Sequence, residues 1–300
     1  MQTTRTDFKA WIERVQQRVE IALGAALPES TVAPAELHQA MRYAVLGGGK
    51  RARPLLAFAA GELSAADPRR LDMVACSVEL VHAYSLVHDD LPCMDDGQLR
   101  RGKPTCHLQY DEATALLVGD SLYGIAFELL AAHRLNDDPA KQLEMIKLLA
   151  FASGSRGMAG GQAIDLASVG VQLTLPELEF MHIHKTGALI RAAILLGAYC
   201  GKPLDEGEQR ALDRFAKCVG LAFQVVDDIL DAESTTEQLG KTAGDDAARN
   251  KPTYVSLLGV SAAREMAQRL RDDALSALAT CGERANRLYE LADFIVLRKS

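Results

Sequence analysis

Aromatic residues are scarce in this chain of 300 residues, since Phe, Tyr and Trp make up 5% of it and Trp occurs once. Runs of β-branched residues are scarce as well, whereas Ala and Leu recur throughout. Aromatic and β-branched side chains favour strands, while Ala and Leu favour helices. The composition therefore argues against a sheet protein and predicts an all-α fold. With 48% hydrophobic and 24% charged residues, it also excludes a disordered or fibrous chain.

A basic excess and a long apolar run are both missing. The 33 Lys and Arg residues are outnumbered by 40 Asp and Glu residues, which gives a net charge of −7. This balance argues against a nucleic-acid partner or an anionic membrane surface. A bilayer span needs roughly 18 consecutive apolar residues, and the apolar segment 188–200 is interrupted by Arg191. We therefore expect no membrane span.

Metal-ligand cysteine spacings and a secretory signal are also missing. The six cysteines form no CxxC pair, and a chain of this length needs no disulfide framework. The first residues include Asp7 and Glu13 and lack the continuous apolar segment of a signal peptide. We expect a cytoplasmic protein with reduced thiols.

Apolar residues recur at helical spacing through most of the chain. One apolar stripe ends before the glycines at 47–49, and another runs from Val74 to about Leu91, where Pro92 interrupts the helix. Further helices are predicted over 111–134, 139–152, 177–200, 205–231, 253–258, 261–280 and 284–297. Because no alternating strand pattern or linker-like stretch separates them, we predict one all-α domain over residues 1–300.

The first of two acidic clusters contains Asp89, Asp90, Asp95 and Asp96. Asp89 and Asp95 would lie on different faces of an undistorted helix, but Pro92 allows the chain to turn and bring them together. Mg²⁺ binds one or two carboxylates and completes its shell with phosphate oxygens and water. The segment therefore predicts a Mg²⁺ site that also involves a substrate phosphate.

The second cluster consists of Gln224, Asp227, Asp228 and Asp231, which follow one another at helical spacing and form one polar stripe. Asp227 and Asp231 are like charges four residues apart with no cation between them, a destabilising arrangement. A solvated polar face is the alternative to a metal site. The repulsion favours a divalent cation, and the two clusters would meet only across a helical bundle.

Basic residues accompany both clusters. The segment 48–54 has the glycines and the lysine of a phosphate loop, but it is not a P-loop, because Arg51 replaces the required Ser or Thr and a helix precedes it. Lys50 and Arg53 can still bind a phosphate. Further candidate cations are Arg100, Arg101, Lys185, Lys241 and Lys251. Together with two clusters of Mg²⁺ type, they predict a polyphosphate substrate.

These features resemble the trans-isoprenyl diphosphate synthases, in particular the bacterial short-chain members of the farnesyl diphosphate synthase (geranyltranstransferase) type. The resemblance runs over nearly the whole chain and rests on specific motifs. They are GGKRARP at 48–54, DDLPCMD at 89–95, RRGKPTCH at 100–107, GGQAID at 160–165, HKTG at 184–187 and FQVVDDILD at 223–231. Many relatives continue the first acidic run where this chain has Gly97 and Gln98, which lie beyond the matched metal ligands.

The resemblance implies a single-domain bundle of antiparallel α-helices around a deep central cavity, assembled as a homodimer. It implies Mg²⁺-dependent head-to-tail condensation of isopentenyl diphosphate with dimethylallyl and geranyl diphosphate, giving (2E,6E)-farnesyl diphosphate and diphosphate. Three Mg²⁺ ions per active site are implied, with Mn²⁺ able to replace them. The product distribution is left open.

The resemblance also implies roles for single residues. The metal ligands would be Asp89, Asp95 and Asp227, with Asp90 and Asp231 as further ligands. The catalytic set would add Lys185, Thr186 and Gln224 to Asp89 and Asp227. Isopentenyl diphosphate would be held by Lys50, Arg53, His82, Arg101 and Arg298. The allylic diphosphate would be held by Arg100, Lys185, Lys241 and Lys251. His82, Gln162 and Asp165 are equally consistent with structural roles.

Product length is expected to depend on Tyr84, which lies five residues before Asp89 and about 7.5 Å lower on the same helix. In the family that this chain resembles, a bulky residue at the position of Tyr84 is associated with a C15 product. The neighbouring Ser85 is too small to close a cavity. The alternative is that Tyr84 packs against another helix as part of the core.

Three other functions remain open on the residues themselves. A metal phosphohydrolase would use His88 and Asp89 as its HD pair, but it needs further His ligands and gives FQVVDDILD no role. A class I terpene cyclase shares the first acidic cluster but has a different second metal motif. A non-catalytic subunit that binds prenyl diphosphates is the third, although both acidic clusters are intact here.

Overall fold

The computed structural model describes residues 2–233 and 251–298, with side chains from residue 7 onward. The α-helices are α1 (Gln2–Ala26), α2 (Ala35–Val45), α3 (Ala52–Leu63), α4 (Pro68–Asp89), α5 (Cys106–Gln109), α6 (Glu112–Ala132), α7 (Pro139–Ser153), α8 (Met158–Ala167), α9 (Leu175–His182), α10 (Ala188–Tyr199), α11 (Glu206–Glu233), α12 (Tyr254–Leu258), α13 (Val260–Ala277) and α14 (Asn286–Leu297). A π-helical turn (Ile183–Gly187) precedes α10, and a 3₁₀ segment (Ala279–Ala285) precedes α14. Strands β1 (Leu99–Arg100) and β2 (Lys103–Pro104) form one short antiparallel hairpin. The predicted all-α class is confirmed.

The chain divides into two compact units. The first holds the described residues up to Ile146 together with Leu196–Lys202. The second holds Lys147–Leu195 together with the described residues from Pro203 onward. The prediction of a single domain over residues 1–300 stays a prediction, as does that of a deep central cavity.

Helix α4 is the centre of the first unit. Pro68 occupies its first position, and the Asp67 side chain caps it by accepting from the backbone N–H of Arg69 at 2.9 Å. Half of its 22 residues are buried, because it packs against α3 on one side and α6 on another. It ends at Asp89, three residues before the proline that cannot continue the helical hydrogen bonds. The first acidic cluster therefore begins where α4, anchored by its buried half, ends.

Helix α11 organises the second unit. Its apolar face packs against α13, while its polar stripe carries the second acidic cluster. This division follows from apolar residues recurring at helical spacing along α11. The core that they build is made of Leu178, Met181, Leu221, Val225, Val226, Ile229, Leu230, Tyr254, Ala263, Met266 and Ala267.

The structure differs from the sequence expectations at two places near the site residues. The helix predicted over 177–200 is interrupted by the π-helical turn at Ile183–Gly187. The hairpin β1–β2 was not predicted, because strands of two residues leave no alternating pattern. At its tip, Arg101 and Gly102 have φ angles of +53° and +73°, the positive values that a tight type I′ turn requires.

Helix α6 is long and apolar enough to cross a membrane by length and composition, with a mean hydropathy of 1.5 over its most apolar window. It packs against α4 in the first unit, and 39% of that window is buried. A core helix of a soluble protein has the same properties. Helix α6 is therefore weak evidence against the expectation of no membrane span.

Gly197 on α10 lies so close to α3 that it has no room for a side chain. A Cβ atom there would be 2.1 Å from the backbone oxygen of Ala57. We predict that Gly197→Ala lowers the free energy of unfolding by roughly 1–3 kcal/mol, because the two backbones must move apart. Urea denaturation followed by circular dichroism measures the loss.

Gly24→Ala is the matched control, because it adds the same methyl group to α1 where nothing lies within 4 Å. Helix propensity should leave its stability unchanged or raise it by up to about 1 kcal/mol. Equal stability of the two variants would contradict the close approach at Gly197.

Candidate active site

The first acidic cluster forms a tight turn after α4. The backbone N–H of Asp95 donates to the backbone carbonyl of Asp89 with an N–O distance of 2.8 Å. Asp89 and Asp95 are both half-buried. The predicted turn at Pro92 is confirmed, because it brings together two aspartates that are six residues apart.

Asp90 forms an ion pair with an arginine, and its role as a metal ligand stays a prediction. Its side chain is 4% exposed, and its two oxygens accept from Nη2 and Nε of Arg100 at 2.7 and 2.8 Å. Paired hydrogen bonds between charged groups are strong and fix the orientation of both partners. Burial would lower the pKa of Arg100, but the hydrogen bonds and charge of Asp90 raise it above its ordinary value. Asp90 therefore holds Arg100, with one hydrogen bond to each of its carboxylate oxygens.

The donors of this turn fit Mg²⁺. Asp89 and Asp95 supply carboxylate oxygen, and Mg²⁺ needs one or two carboxylates when phosphate oxygens and water complete its shell. Within the part of the chain whose side chains are described, no three His, Cys, Asp or Glu residues are grouped closely enough to hold a metal ion by themselves. The donor set thus suits a cation that is bound together with a diphosphate.

The second acidic cluster, on α11, divides its carboxylates between two environments. Asp227 is 44% exposed, and its Oδ1 accepts from Nη2 of Arg298 at 3.1 Å. Asp228 is buried and accepts from Nε2 of Gln224 and from the backbone N–H of Tyr254, both at 2.8 Å. Asp231 is buried. Asp227 is therefore the accessible carboxylate, whereas Asp228 joins α11 to α12. The arrangement of Mg²⁺ ligands on two walls stays a prediction.

The loop before α3 presents one cation and buries the next. Lys50 is exposed. Arg51 has a φ of +49°, and its buried guanidinium donates to Glu20, Glu79 and the backbone carbonyl of Val45. Such a backbone angle is uncommon outside glycine and marks a constrained position. Adjacent residues of the loop therefore serve different purposes, one facing solvent and one anchoring the loop.

His82 lies among the predicted cations of the first unit. Burial, followed by the charges of Arg53, Arg101, Arg100 and Arg51, holds its pKa well below the ordinary value of 6.5. The imidazole is therefore neutral at physiological pH and can donate one hydrogen bond. Because their charges act on one ring, Arg53 and Arg101 lie near His82, as the site assignment requires.

Asp165 on α8 joins two lysines in the second unit. Its Oδ2 accepts from Nζ of Lys185 at 2.6 Å and from Nζ of Lys251 at 3.2 Å. Burial would raise the pKa of Asp165, but the two ammonium groups hold it below its ordinary value of 3.8. Asp165 is therefore an ionised counter-ion shared by two lysines that were predicted to bind the allylic diphosphate.

Lys185 and Thr186 lie in the π-helical turn Ile183–Gly187. Hydrogen bonds in such a turn span five residues instead of four, which shifts the backbone ladder and often marks a functional site. Oγ1 of Thr186 donates to Oε1 of Gln224 at 2.9 Å. The turn thus brings together Lys185, Thr186 and Gln224, three of the residues predicted to be catalytic.

The last two residues predicted to bind a substrate are Arg298 and Lys241. The guanidinium of Arg298 donates to Asp227 and to the backbone carbonyl of Phe223, and it lies 4.1 Å from the centre of the Phe223 ring. Arg298 thus contacts the second acidic cluster, and its assignment to isopentenyl diphosphate stays a prediction. Lys241 lies outside the described residues.

Sequence reasoning missed one carboxylate and left another open. Glu79 on α4 contacts Arg51 and Arg101, and its signal was a single acid within the apolar stretch 73–81, three residues before His82. Asp165 was singled out only by its spacing from Gln162. Neither sequence pattern indicates which cation forms an ion pair with the carboxylate.

Comparison with known proteins decides the family. A family model described as polyprenyl synthetase matches residues 34–292. The chain belongs to the polyprenyl synthetase family. It is 45% identical over 294 residues to farnesyl diphosphate synthase of Haemophilus influenzae, covering 98% of this chain and 99% of that protein. It is 43% identical over 297 residues to the chloroplastic geranylgeranyl pyrophosphate synthase 11 of Arabidopsis thaliana, covering 97% and 82%.

A solved structure of a relative has a similar fold. A geranyltransferase from Helicobacter pylori, complexed with magnesium and isoprenyl diphosphate, superposes with a TM-score of 0.84 at 36% identity, covering 95% of both chains. Membership in the polyprenyl synthetase family confirms the resemblance and the isoprenoid synthase fold. The chain is a prenyltransferase that elongates prenyl chains. The family uses Mg²⁺, in agreement with the donors at the first acidic turn. Nothing in these matches supports the phosphohydrolase, the cyclase or the non-catalytic subunit.

We predict that Asp165→Asn lowers the free energy of unfolding by roughly 3–5 kcal/mol at pH 7, because it leaves two lysines without their buried counter-ion. The pKa of Asp165 is lower in the folded protein, so its contribution is present above the unfolded value near 3.8 and is lost as the pH falls below it. The difference in free energy of unfolding between Asp165→Asn and the wild-type protein should therefore become smaller below about pH 4. Urea denaturation at pH 7 and pH 3 measures the loss of stability at neutral pH and its decrease at low pH.

Asp67→Asn serves as the control, because Asp67 pairs with Arg69 on an exposed surface and Asn can still cap α4. It should leave stability nearly unchanged at both pH values. A loss for Asp165→Asn that is equally large at pH 3 would contradict the role of the ionised carboxylate.

Proposed function

We propose that this prenyltransferase condenses isopentenyl diphosphate with dimethylallyl and geranyl diphosphate in the presence of Mg²⁺, and that its main product is (2E,6E)-farnesyl diphosphate. The observation that carries the proposal is the turn at the end of α4, where Asp95 adjoins Asp89 and Asp90 orients Arg100. This turn offers two carboxylates for a cation and a guanidinium for the diphosphate that the cation accompanies.

Binding of the two substrates is divided among the cations. Arg100, Lys185 and Lys251 bind the allylic diphosphate, and Lys50, Arg53 and Arg101 bind isopentenyl diphosphate. Bound Mg²⁺ would offset the negative charge that builds on the leaving diphosphate as the C–O bond breaks. Arg100 and Lys185 are each oriented by a buried carboxylate, and each offers fixed positive charge to a diphosphate.

The carbocation half of the reaction needs dipoles rather than full charges. We propose that the Lys185 and Thr186 carbonyls and the Gln224 side-chain oxygen supply them. In support, Lys185 and Thr186 are consecutive in the π-helical turn, and Oγ1 of Thr186 donates to Oε1 of Gln224. His82 is neutral at physiological pH, so it is suited to donate a hydrogen bond rather than to carry positive charge. The departing diphosphate is the base that accepts the final proton.

The reaction is tested by incubating the protein with labelled isopentenyl diphosphate, geranyl diphosphate and Mg²⁺. We expect a lengthened prenyl diphosphate. Asp89→Asn should lower kcat by at least about a hundredfold, because it removes a ligand of the cation that offsets the leaving-group charge. Thermal unfolding of the same variant should stay close to that of the wild-type protein.

Asp96→Asn is the control within the same turn, since Asp96 is exposed and was not assigned to metal or substrate. It should retain most of the activity. Phosphate release without chain extension would overturn the proposal in favour of a hydrolase, and a hydrocarbon product would overturn it in favour of a cyclase.

Product length is proposed to depend on an aromatic group in the first unit. Tyr84 meets Tyr123 edge to face with ring centres 4.9 Å apart, and Tyr123 meets Phe127 at 5.0 Å. Such contacts hold rings in fixed positions. Burial raises the pKa of Tyr84 to about 12, so its hydroxyl stays neutral. Ser85 donates to the backbone carbonyl of His82 at 2.9 Å and adds no bulk. Relatives named for farnesyl and for geranylgeranyl products are similarly close, so this group is the basis for the C15 proposal.

We predict that Tyr84→Ala shifts the products to C20 and longer, because it removes the ring about 7.5 Å below Asp89 on α4. Tyr84→Phe keeps the ring and should keep the C15 limit. Mass analysis of the dephosphorylated alcohols separates the two results. An unchanged C15 limit in Tyr84→Ala would show that another residue ends the chain.

A homodimer is proposed from the surface of α6. Leu116 and Leu117 are 48% and 53% exposed on a helix that is otherwise rich in apolar residues. Neighbouring exposed apolar side chains are typical of protein interfaces, and a second copy of this chain is the proposed partner. Binding of three Mg²⁺ ions, replacement by Mn²⁺ and a cytoplasmic location remain predictions.

A further inference from the structure

Glu79 is a buried carboxylate between two arginines. It lies on α4, three residues before His82, and its side chain is 2% exposed. Its Oε1 accepts from Nη1 of Arg51 at 2.5 Å and lies 3.5 Å from Nη2 of Arg101. A buried ion pair rarely stabilises a fold more than apolar residues of the same size would. Stability alone therefore gives no reason for Glu79 to be an acid.

The two arginines differ in what they can offer a ligand. Arg51 has 1% of its side chain exposed, and Glu79, Glu20 and the Val45 carbonyl occupy its guanidinium. Arg101 keeps 27% of its side chain exposed. Arg101 also donates to the Val45 carbonyl at the longer distance of 3.3 Å. Arg51 is thus an anchor, whereas Arg101 remains partly accessible to a further anion.

Arg101 needs such support because of where its backbone lies. It sits at the tip of the hairpin β1–β2 with a φ of +53°. Its guanidinium packs against Gly49, where a Cβ atom would come within 3.1 Å of Cζ. The positive charge of Arg51 opposes that of Arg101 and contributes, after burial, to a lowered Arg101 pKa. Glu79 and Glu20 both offset this repulsion at the two guanidinium groups, and Glu79 has the larger effect on Arg101.

We propose that Glu79 is a positioning residue: it holds Arg101 against the loop of Lys50 and Arg51, and thereby sets the affinity for isopentenyl diphosphate without touching it. This inference rests on the proposed function, since it assigns Arg101 to that substrate. It gives Glu79 the same relation to Arg101 that Asp90 has to Arg100, with one carboxylate for each diphosphate-binding guanidinium.

The test is a kinetic comparison of Glu79→Gln with the wild-type protein. The KM for isopentenyl diphosphate should rise about tenfold or more, which matches the loss of one charge-assisted contact. The KM for geranyl diphosphate should change less than about twofold, because Asp90 still holds Arg100. Calorimetric binding of isopentenyl diphosphate to the protein alone gives a readout that does not depend on turnover.

Asp72→Asn is the matched control. Asp72 lies on the same helix and forms a two-point pair with Arg18 at 2.5 and 2.7 Å, away from the assigned ligands. It should lower thermal stability without changing either KM. An unchanged KM for isopentenyl diphosphate in Glu79→Gln, or an equal rise in both KM values, would overturn the inference.

A second pair of variants separates positioning from loss of stability. Arg51→Met and the double variant Arg51→Met with Glu79→Gln both lack the anchor, and they differ only in Glu79. If Glu79 positions Arg101, the double variant has the higher KM for isopentenyl diphosphate although it contains no unpaired buried carboxylate. Equal values would mean that Glu79 acts only through Arg51. If the wild-type protein binds isopentenyl diphosphate but does not extend a prenyl chain, the proposed function fails while calorimetry still decides the role of Glu79.

Discussion

Clustered cations, such as those proposed to bind a diphosphate, repel one another, and this repulsion is the constraint on which the rest of the described structure depends. Each compact unit offsets this repulsion in the same way, by pairing its cations with carboxylates. The pairs are Arg100 with Asp90, Arg101 with Glu79, Lys185 and Lys251 with Asp165, and Arg298 with Asp227. The carboxylates that pair with the first four cations are buried. They therefore orient these cations before a ligand binds, which lowers the entropy cost of immobilising the cationic side chains on binding.

The same requirement explains where the backbone departs from regular helix. Arg51 and Arg101 adopt positive φ angles, and Lys185 lies in a π-helical turn. Conformations of this kind cost energy and persist when surrounding contacts determine them. Here the contacts are the ion pairs themselves, together with the cores around α4 and α11. Rigid helices thus carry the carboxylates, and the irregular segments between them carry most of the cations.

Much of this structure follows from local sequence signals, and the remainder depends on contacts between distant residues. Apolar spacing predicted the helices at 139–152 and 205–231 closely, and Pro92 predicted the turn that brings Asp95 to Asp89. The π-helical turn has no signature in HKTG, because a bulge of one residue depends on packing against neighbouring helices. The partners of Glu79 and Asp165 lie at least 20 residues away in the sequence. The ion pair of Asp90 with Arg100 was not predicted either, because residue type alone does not distinguish a carboxylate that binds a metal ion from one that orients a guanidinium.

The π-helical turn also restricts how this segment can change during evolution. It holds one residue more than a regular helical turn would, so deletion of a single residue between Ile183 and Gly187 would restore regular α-helix. Lys185 and Thr186 would then shift by one position relative to α8 and α11, with which they make their contacts. Lys185 could not keep its contact with Asp165 while Thr186 kept its contact with Gln224. The length of this segment is therefore as constrained as the identities of Lys185 and Thr186.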